Sequence, residues 1–202
     1  MIGTSAKLRE GDILNVEQLL YGLMLPSGND AAYVLAKNFG KFLFKKKGYT
    51  QQHKKTIRSF EFDHHEEYVK YFLYEMNCLS LYLNMYDTYW DSPHGLGNEE
   101  NNSTVYDLFI LCEKAMQCDL FREIVSSKTY CCTPTREKHP DNHVYTWINN
   151  NRLLGVDGII GIKTGTTKEA GHCLTTCYEK DEHNFIVVSL HSRSKVHLWM
   201  ET

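Results

Sequence analysis

Two triplets in this 202-residue chain hold groups that can relay protons and bind anions. Ser27-Gly28-Asn29 offers a hydroxyl and an amide two positions apart. Lys163-Thr164-Gly165 offers an ammonium, a hydroxyl and a position with no side chain. A hydroxyl next to an amide can donate and accept, and an ammonium is a compact point charge for a carboxylate. Each triplet alone has a plainer reading: the first as a helix cap, the second as a strand ending in a turn. Their contexts give them weight. One falls at a corner between two helical stretches, and the other on a strand that leads into Thr166-Thr167.

The elements that must position them follow from periodicity. Val16 to Leu25 is an apolar run ended by Pro26, which has no N–H to continue a helix. Ser27 to Asp30 then supplies a turn and a cap for a second helix, with Ala31, Leu35, Phe39 and Phe42 on one face. Residues 45–67 are polar and charged, and are read as a surface insertion. Tyr68, Phe72, Met76, Leu79 and Leu83 mark another long helix. Ser92-Pro93-His94-Gly95 is a loop in which His94 is read as structural. Ser103 or Thr104 caps a helix through about Cys118, with Asp107 placed for a capping box behind Thr104. The helical lobe thus spans about residues 13–125. Beyond it the period changes to two: Gly158 to Thr164, His172 to Tyr178 and Asn184 to His191 read as strands of an antiparallel meander over about 158–191, with a polar turn at Lys180 to His183. Helices followed by strands predict an α+β fold, one domain over 1–202.

Composition narrows the function classes. A formal charge of −3 with 42% hydrophobic residues fits a packed domain and gives no basic footprint for nucleic acid. Seven cysteines, an odd number in a chain this long, read as reduced thiols. Met1 to Leu20 is charged throughout and is not read as a signal peptide, so localisation is left open. The longest apolar stretch, Leu19 to Leu25, is too short to span a bilayer. A zinc site is a rival reading, from His64, His65, His139, His143 or the Cys173/Cys177 pair. Pro140 opposes the helix a metalloprotease spacing needs, and the two cysteines, four apart on a strand, build no closed site. No metal or organic cofactor is expected.

With Ser-x-Asn followed by Lys-Thr-Gly, the chain resembles the serine penicillin-binding enzymes, which place a Ser-x-x-Lys motif before these two. It is most similar to the low-molecular-mass D-alanyl-D-alanine carboxypeptidases. The resemblance rests on Leu19 to Ala32, Ser92-Pro93-His94-Gly95-Leu96, Phe121-Arg122-Glu123-Ile124-Val125 and Gly158 to Gly171. It implies a partial serine β-lactamase/penicillin-binding fold and acyl-enzyme hydrolysis of a D-Ala-D-Ala-terminated peptide, or acylation by a β-lactam. In it Ser27 is the shuttle hydroxyl, Asn29 orients the substrate amide, and Lys163 holds the terminal carboxylate and Ser27. Thr164 and Thr166 also bind that carboxylate, Gly165 lets a substrate strand lie close, the Thr166 N–H is an oxyanion donor, and Arg193 is a further carboxylate ligand.

The resemblance also implies a nucleophilic serine and base lysine one helical turn apart, tens of residues before Ser27. No Ser-x-x-Lys precedes Ser27. Thr4-Ser5-Ala6-Lys7 has the spacing by coincidence, and Ser192-Arg193-Ser194-Lys195 follows the last strand in the wrong order. The expectation is an incomplete peptidase domain, inactive alone, with exposed sheet edges. The alternative is a pseudoenzyme that binds peptide C-termini without cleaving them.

Overall fold

Helix-forming and strand-forming stretches segregate along the chain as the periodicity predicts. The computed structural model describes residues 3–46, 64–96, 100–136 and 143–202. Their order is α1 (Val16–Met24), α2 (Asn29–Lys46), α3 (His64–Tyr82), α4 (Val105–Ala115), α5 (Asp119–Ser126), β1 (Thr129–Cys132), β2 (Tyr145–Ile148), β3 (Ile159–Thr167), β4 (Gly171–Lys180), β5 (His183–Ser192) and α6 (Lys195–Glu201). The architecture is α+β, with two antiparallel sheets, β1-β2 and β3-β4-β5. Most of the stretch read as an insertion, 47–63, lies outside the described residues.

α1 starts with a reciprocal cap. The Asn15 side chain accepts the Gln18 N–H at 2.8 Å, and the Gln18 side chain accepts the Asn15 N–H at 2.9 Å. Its inward face carries Leu19 and Tyr21, and Leu25 is wholly buried as the helix stops before Pro26. The floor beneath α1 is the β1-β2 hairpin, where Tyr21 stacks on Tyr130 with ring centroids 3.7 Å apart. Trp147 stacks on both Tyr130 and Tyr145, and its indole N–H donates to the Ala6 carbonyl at 2.9 Å. Burying three or four such rings against one helix is the largest apolar contribution in this half of the molecule.

Three features depart from the sequence reading. The hairpin was not anticipated: its strands are four residues each, too short for a periodicity test, although Tyr145 and Trp147 point inward and Thr146 and Ile148 outward. The helix expected to reach about Cys118 breaks after Ala115 and restarts as α5. Asp107 makes no capping box. Thr104 accepts the Asp107 N–H at 3.1 Å, but the Asp107 carboxylate turns away to the Asp87 N–H at 3.0 Å and the Thr88 hydroxyl at 2.6 Å.

In the second sheet β4 lies between β3 and β5, and its Leu174, Thr176 and Cys177 are nearly inaccessible. Asp181 and Glu182 form the two-residue turn with φ of 50° and 65°, the left-handed geometry that matches strand twist. Among the described residues, β3 and β5 have no further strand partner. α4 packs on β5, α5 on β3 and α6 on β4 and β5. Arg122 on α5 grips Glu179 on β4 with two bonds of 2.7 and 2.6 Å, and this guanidinium holds the Glu179 carboxyl below the usual carboxylate range. Ser194 caps α6 by accepting the His197 N–H at 3.2 Å, which gives the Ser192–Lys195 stretch a structural role. Among the described residues, no helix is long and apolar enough to cross a membrane.

Candidate active site

Pro26 ends α1, and the chain turns at once into α2 through Ser27 with φ of 58°. A left-handed serine costs on the order of 1–3 kcal/mol, so its neighbours must hold it. Gly28 N–H donates to the Gly22 carbonyl at 3.2 Å, and the Asn29 N–H to the Thr4 carbonyl at 2.9 Å. The Thr4 hydroxyl donates to the Ser27 carbonyl. Position 28 has to be glycine because a Cβ there would run into the Gly22 carbonyl and Ala6. Asp30 locks the outer side, accepting from Ala6 N at 2.8 Å, Leu8 N at 3.0 Å and Ser5 Oγ at 2.7 Å. Burial alone would raise the Asp30 carboxyl, but these donors outweigh it and hold the group below its ordinary value.

Across from this corner, β3 carries Lys163 opposite Thr175, Thr164 opposite Leu174, Gly165 opposite Cys173 and Thr166 opposite His172. The Lys163 ammonium donates to Ser27 Oγ and, at 2.8 Å, to the Thr164 carbonyl. Burial pushes this lysine down to about 8, since charge is disfavoured where water is excluded and, among the described residues, no carboxylate pairs with it. Thr166 Oγ1 shares a bond of 3.2 Å with His172 Nδ1. A Cβ on Gly165 would meet only Cys173 Cβ, at 3.9 Å, so the chain's own packing does not demand glycine there.

Corner and strand enclose one cleft of about 770 Å³, and Ser27, Asn29, Lys163, Thr164, Gly165 and Thr166 all line it. Arg193 does not: it is exposed just past β5, and α6 presents Lys195 to the cleft instead. His94 lines the cleft too, with Nδ1 accepting the Leu96 N–H at 3.2 Å, and burial lowers its pKa so that the ring stays neutral. An almost wholly apolar groove of about 400 Å³ opens from Lys163–Gly165 towards Leu108, Leu111, Ala115 and Phe121.

The cleft also holds residues the sequence reading did not place in the site, among them Thr4, Asn150 and Arg152. The last two sit on a loop fixed by asparagines. Asn149 Nδ2 donates to the Ser127 carbonyl at 3.1 Å, Asn150 N–H to the Leu25 carbonyl at 3.1 Å, and Asn151 Oδ1 accepts the Leu153 N–H at 3.0 Å. Asn149-Asn150-Asn151-Arg152 in front of Leu153-Leu154 was the available signal: a polar run with side chains suited to bonding backbone. Among the described residues no three His, Cys, Asp or Glu cluster to hold a metal. His139 and the side chains of His64 and His65 lie outside what the structure describes.

The family model for D-alanyl-D-alanine carboxypeptidase, peptidase S11, matches residues 65–194. The D-alanyl-D-alanine carboxypeptidase of Streptomyces sp. strain K15 is 36% identical over 172 residues, covering 85% of this chain and 52% of the relative. DacF of Bacillus subtilis is 27% identical over 190 residues, covering 93% of this chain and 41% of the relative. A variant of the Streptomyces K15 DD-transpeptidase superposes with a TM-score of 0.82 at 34% identity, over 98% of this chain and 69% of that one. A penicillin-binding protein homologue from Mycobacterium tuberculosis, at 22% identity and a TM-score of 0.66, shares the fold. The chain spans about half the length of the curated relatives it matches.

Proposed function

The chain belongs to the D-alanyl-D-alanine carboxypeptidase family, and from that premise we propose that its cleft receives the D-Ala-D-Ala end of a peptidoglycan-type peptide for serine-type acyl transfer. The observation that carries this reading is the Lys163 ammonium set against the Ser27 hydroxyl across the cleft, with the Thr164 and Thr166 hydroxyls further along the same strand. An ammonium kept charged at neutral pH at the cost of desolvation, with no carboxylate partner among the described residues, is what a substrate carboxylate would neutralise. Ser27, bonded to that ammonium, relays the proton to the departing D-alanine nitrogen. Asn29, 5% exposed and lining the cleft, orients the substrate amide. The Thr166 N–H serves as one donor to the oxyanion. Gly165 leaves the side of β3 clear for an extended peptide.

The attacking hydroxyl lies outside this constellation. In the acyl-enzyme reading a Ser-x-x-Lys serine attacks the D-Ala-D-Ala carbonyl, the peptide C–N bond breaks, and water later hydrolyses the ester. No Ser-x-x-Lys precedes Ser27 within these 202 residues. The second reading is a protein that binds peptide C-termini without cleaving them, since the cationic cleft alone suffices for binding. Labelling with a fluorescent penicillin separates the two. Treated side by side are this chain and a longer chain that adds a Ser-x-x-Lys helix. A covalent adduct on the longer chain alone supports the enzyme. Reversible D-Ala-D-Ala binding with no adduct on either supports the binder. An adduct on the 202-residue chain contradicts both, and makes one of its own hydroxyls the nucleophile.

A further inference from the structure

The cleft wall is cationic in a chain that is not. Asp and Glu number 25 against 22 Lys and Arg, so a random lining would carry both signs. Instead Arg152, Lys163 and Lys195 line the cleft, and among the described residues no Asp or Glu does. Lys163 is already engaged with Ser27 and the Thr164 carbonyl. Arg152 and Lys195 are exposed and make no hydrogen bond or ion pair among the described residues. Both stand on firm bases: Arg152 on the asparagine-pinned loop tied to Leu25, Lys195 on the first turn of α6 behind its Ser194 cap. His94, neutral by burial, adds no charge.

We infer that Arg152 and Lys195 select peptides bearing a second carboxylate, upstream of the C-terminal one that Lys163 holds. The inference rests on the carboxypeptidase-family reading of the cleft and adds the substrate's charge to it. Two cations that share a cleft with a third, and have no partner among the described residues, raise the local concentration of a dianionic ligand and slow its escape. A fixed backbone beneath Arg152 leaves only side-chain freedom to lose on pairing, so it gains more from a carboxylate than an arginine on a mobile loop would. For exposed partners the gain is modest, about threefold to tenfold in affinity, and screened by salt.

The test uses the 202-residue chain and three fluorescent peptides titrated at low salt: Glu-D-Ala-D-Ala, Gln-D-Ala-D-Ala and Glu-L-Ala-L-Ala. Wild type is expected to bind the Glu peptide about threefold to tenfold tighter than the Gln peptide. Arg152→Gln should lower that ratio towards one and Lys195→Gln should lower it partly, each weakening the Glu peptide more than the Gln peptide. Equal binding of the Glu and Gln peptides by wild type would overturn the inference and leave the D-Ala-D-Ala reading standing. So would an unchanged ratio in the Arg152→Gln, Lys195→Gln double variant. Equal binding of the D-Ala and L-Ala forms of the Glu peptide would keep the charge selection and defeat the D-Ala-D-Ala reading. If none of the three binds, both fall.

Discussion

Residues 27–30 and residues 163–166 face each other across one cleft, yet different forces hold them. The corner is gripped from several sides: Gly22, Thr4 and the Asp30 carboxylate fix it by hydrogen bonds, and the rings of Tyr21, Tyr130 and Trp147 lie beneath it. Among the described residues the strand is paired along one edge, with β4, while its residues 163–167 line the cleft. Each region carries one cost. At the corner it is a strained Ser27 backbone, offset by a network built locally around it. On the strand it is a desolvated Lys163 cation, to which the protein offers two neutral acceptors and, among the described residues, no carboxylate. Strain at the corner is relieved by the fold, whereas the charge on the strand is only partly relieved, and in the proposed reading a ligand completes it.

Breaking the corner should therefore cost the most stability. Asp30→Ala removes the acceptor for four donors, the Ser5 hydroxyl and the Ala6, Leu8 and Ala31 N–H groups, and should destabilise by about 2–4 kcal/mol in urea denaturation, with tryptophan fluorescence reporting the loosened base. A loss below about 0.5 kcal/mol would mean the corner does not depend on this carboxylate.

Breaking the strand's charge should work in the opposite direction. Lys163→Met should stabilise the free protein at pH 7, by an amount on the order of 2 kcal/mol, while abolishing binding of a peptide carboxylate. The sign follows from a lysine lowered to about 8 from 10.5. Below pH 8 it is charged both folded and unfolded, and the full cost is present. Between about 8 and 10.5 it is neutral folded and charged unfolded, so wild-type stability rises with pH and the variant's advantage shrinks. Melting curves of both proteins at pH 7, 8.5 and 10 check this. An advantage that grows with pH would contradict it.

Between the two regions lies the Arg122–Glu179 bridge, which fastens β4 to the helical lobe. Arg122→Ala should cost about 1–2 kcal/mol at pH 7. The Glu179 carboxyl is held below 4.5 by that guanidinium, so the bridge is fully present above pH 4.5 and lost as pH falls through the lowered value. The difference between wild type and variant should fade accordingly in acid denaturation. Gly165→Ala should change stability least, within about 0.5 kcal/mol, because only Cys173 stands near the added methyl. It should weaken peptide binding at least about tenfold, since a β-carbon obstructs a strand laid alongside. Unfolding of this variant would show the glycine to be structural.

How much of this was legible in the sequence follows the range of the contacts. Pro26 and Gly28 punctuate locally, so the helix–turn–helix corner could be read from a few residues. The period-two runs around Lys163 placed the motif on a strand without knowledge of its partners. Asp30 bonds residues 22 to 25 positions away, and no local pattern announces that. β1 and β2 are short, and only their pairing across the chain, Thr129 with Ile148 through Cys132 with Tyr145, makes them a sheet. Arg193 was placed in the site because it follows the last strand. The turn into α6 leaves it outside the cleft, and the same helix brings Lys195 in. Arg152 entered from a loop whose fixing bonds reach Leu25, Val125 and Ser127.

The most direct test of the central claim is the affinity of a D-Ala-D-Ala peptide with a free C-terminus, set against its C-terminal amide, across pH 6.5 to 9.5. If the Lys163 ammonium is the carboxylate anchor, the free acid binds far more tightly below pH 8, and its affinity falls as pH passes about 8. The amide should bind weakly at every pH. Equal affinities for acid and amide, or an acid affinity that stays level to pH 9.5, would remove Lys163 from that role.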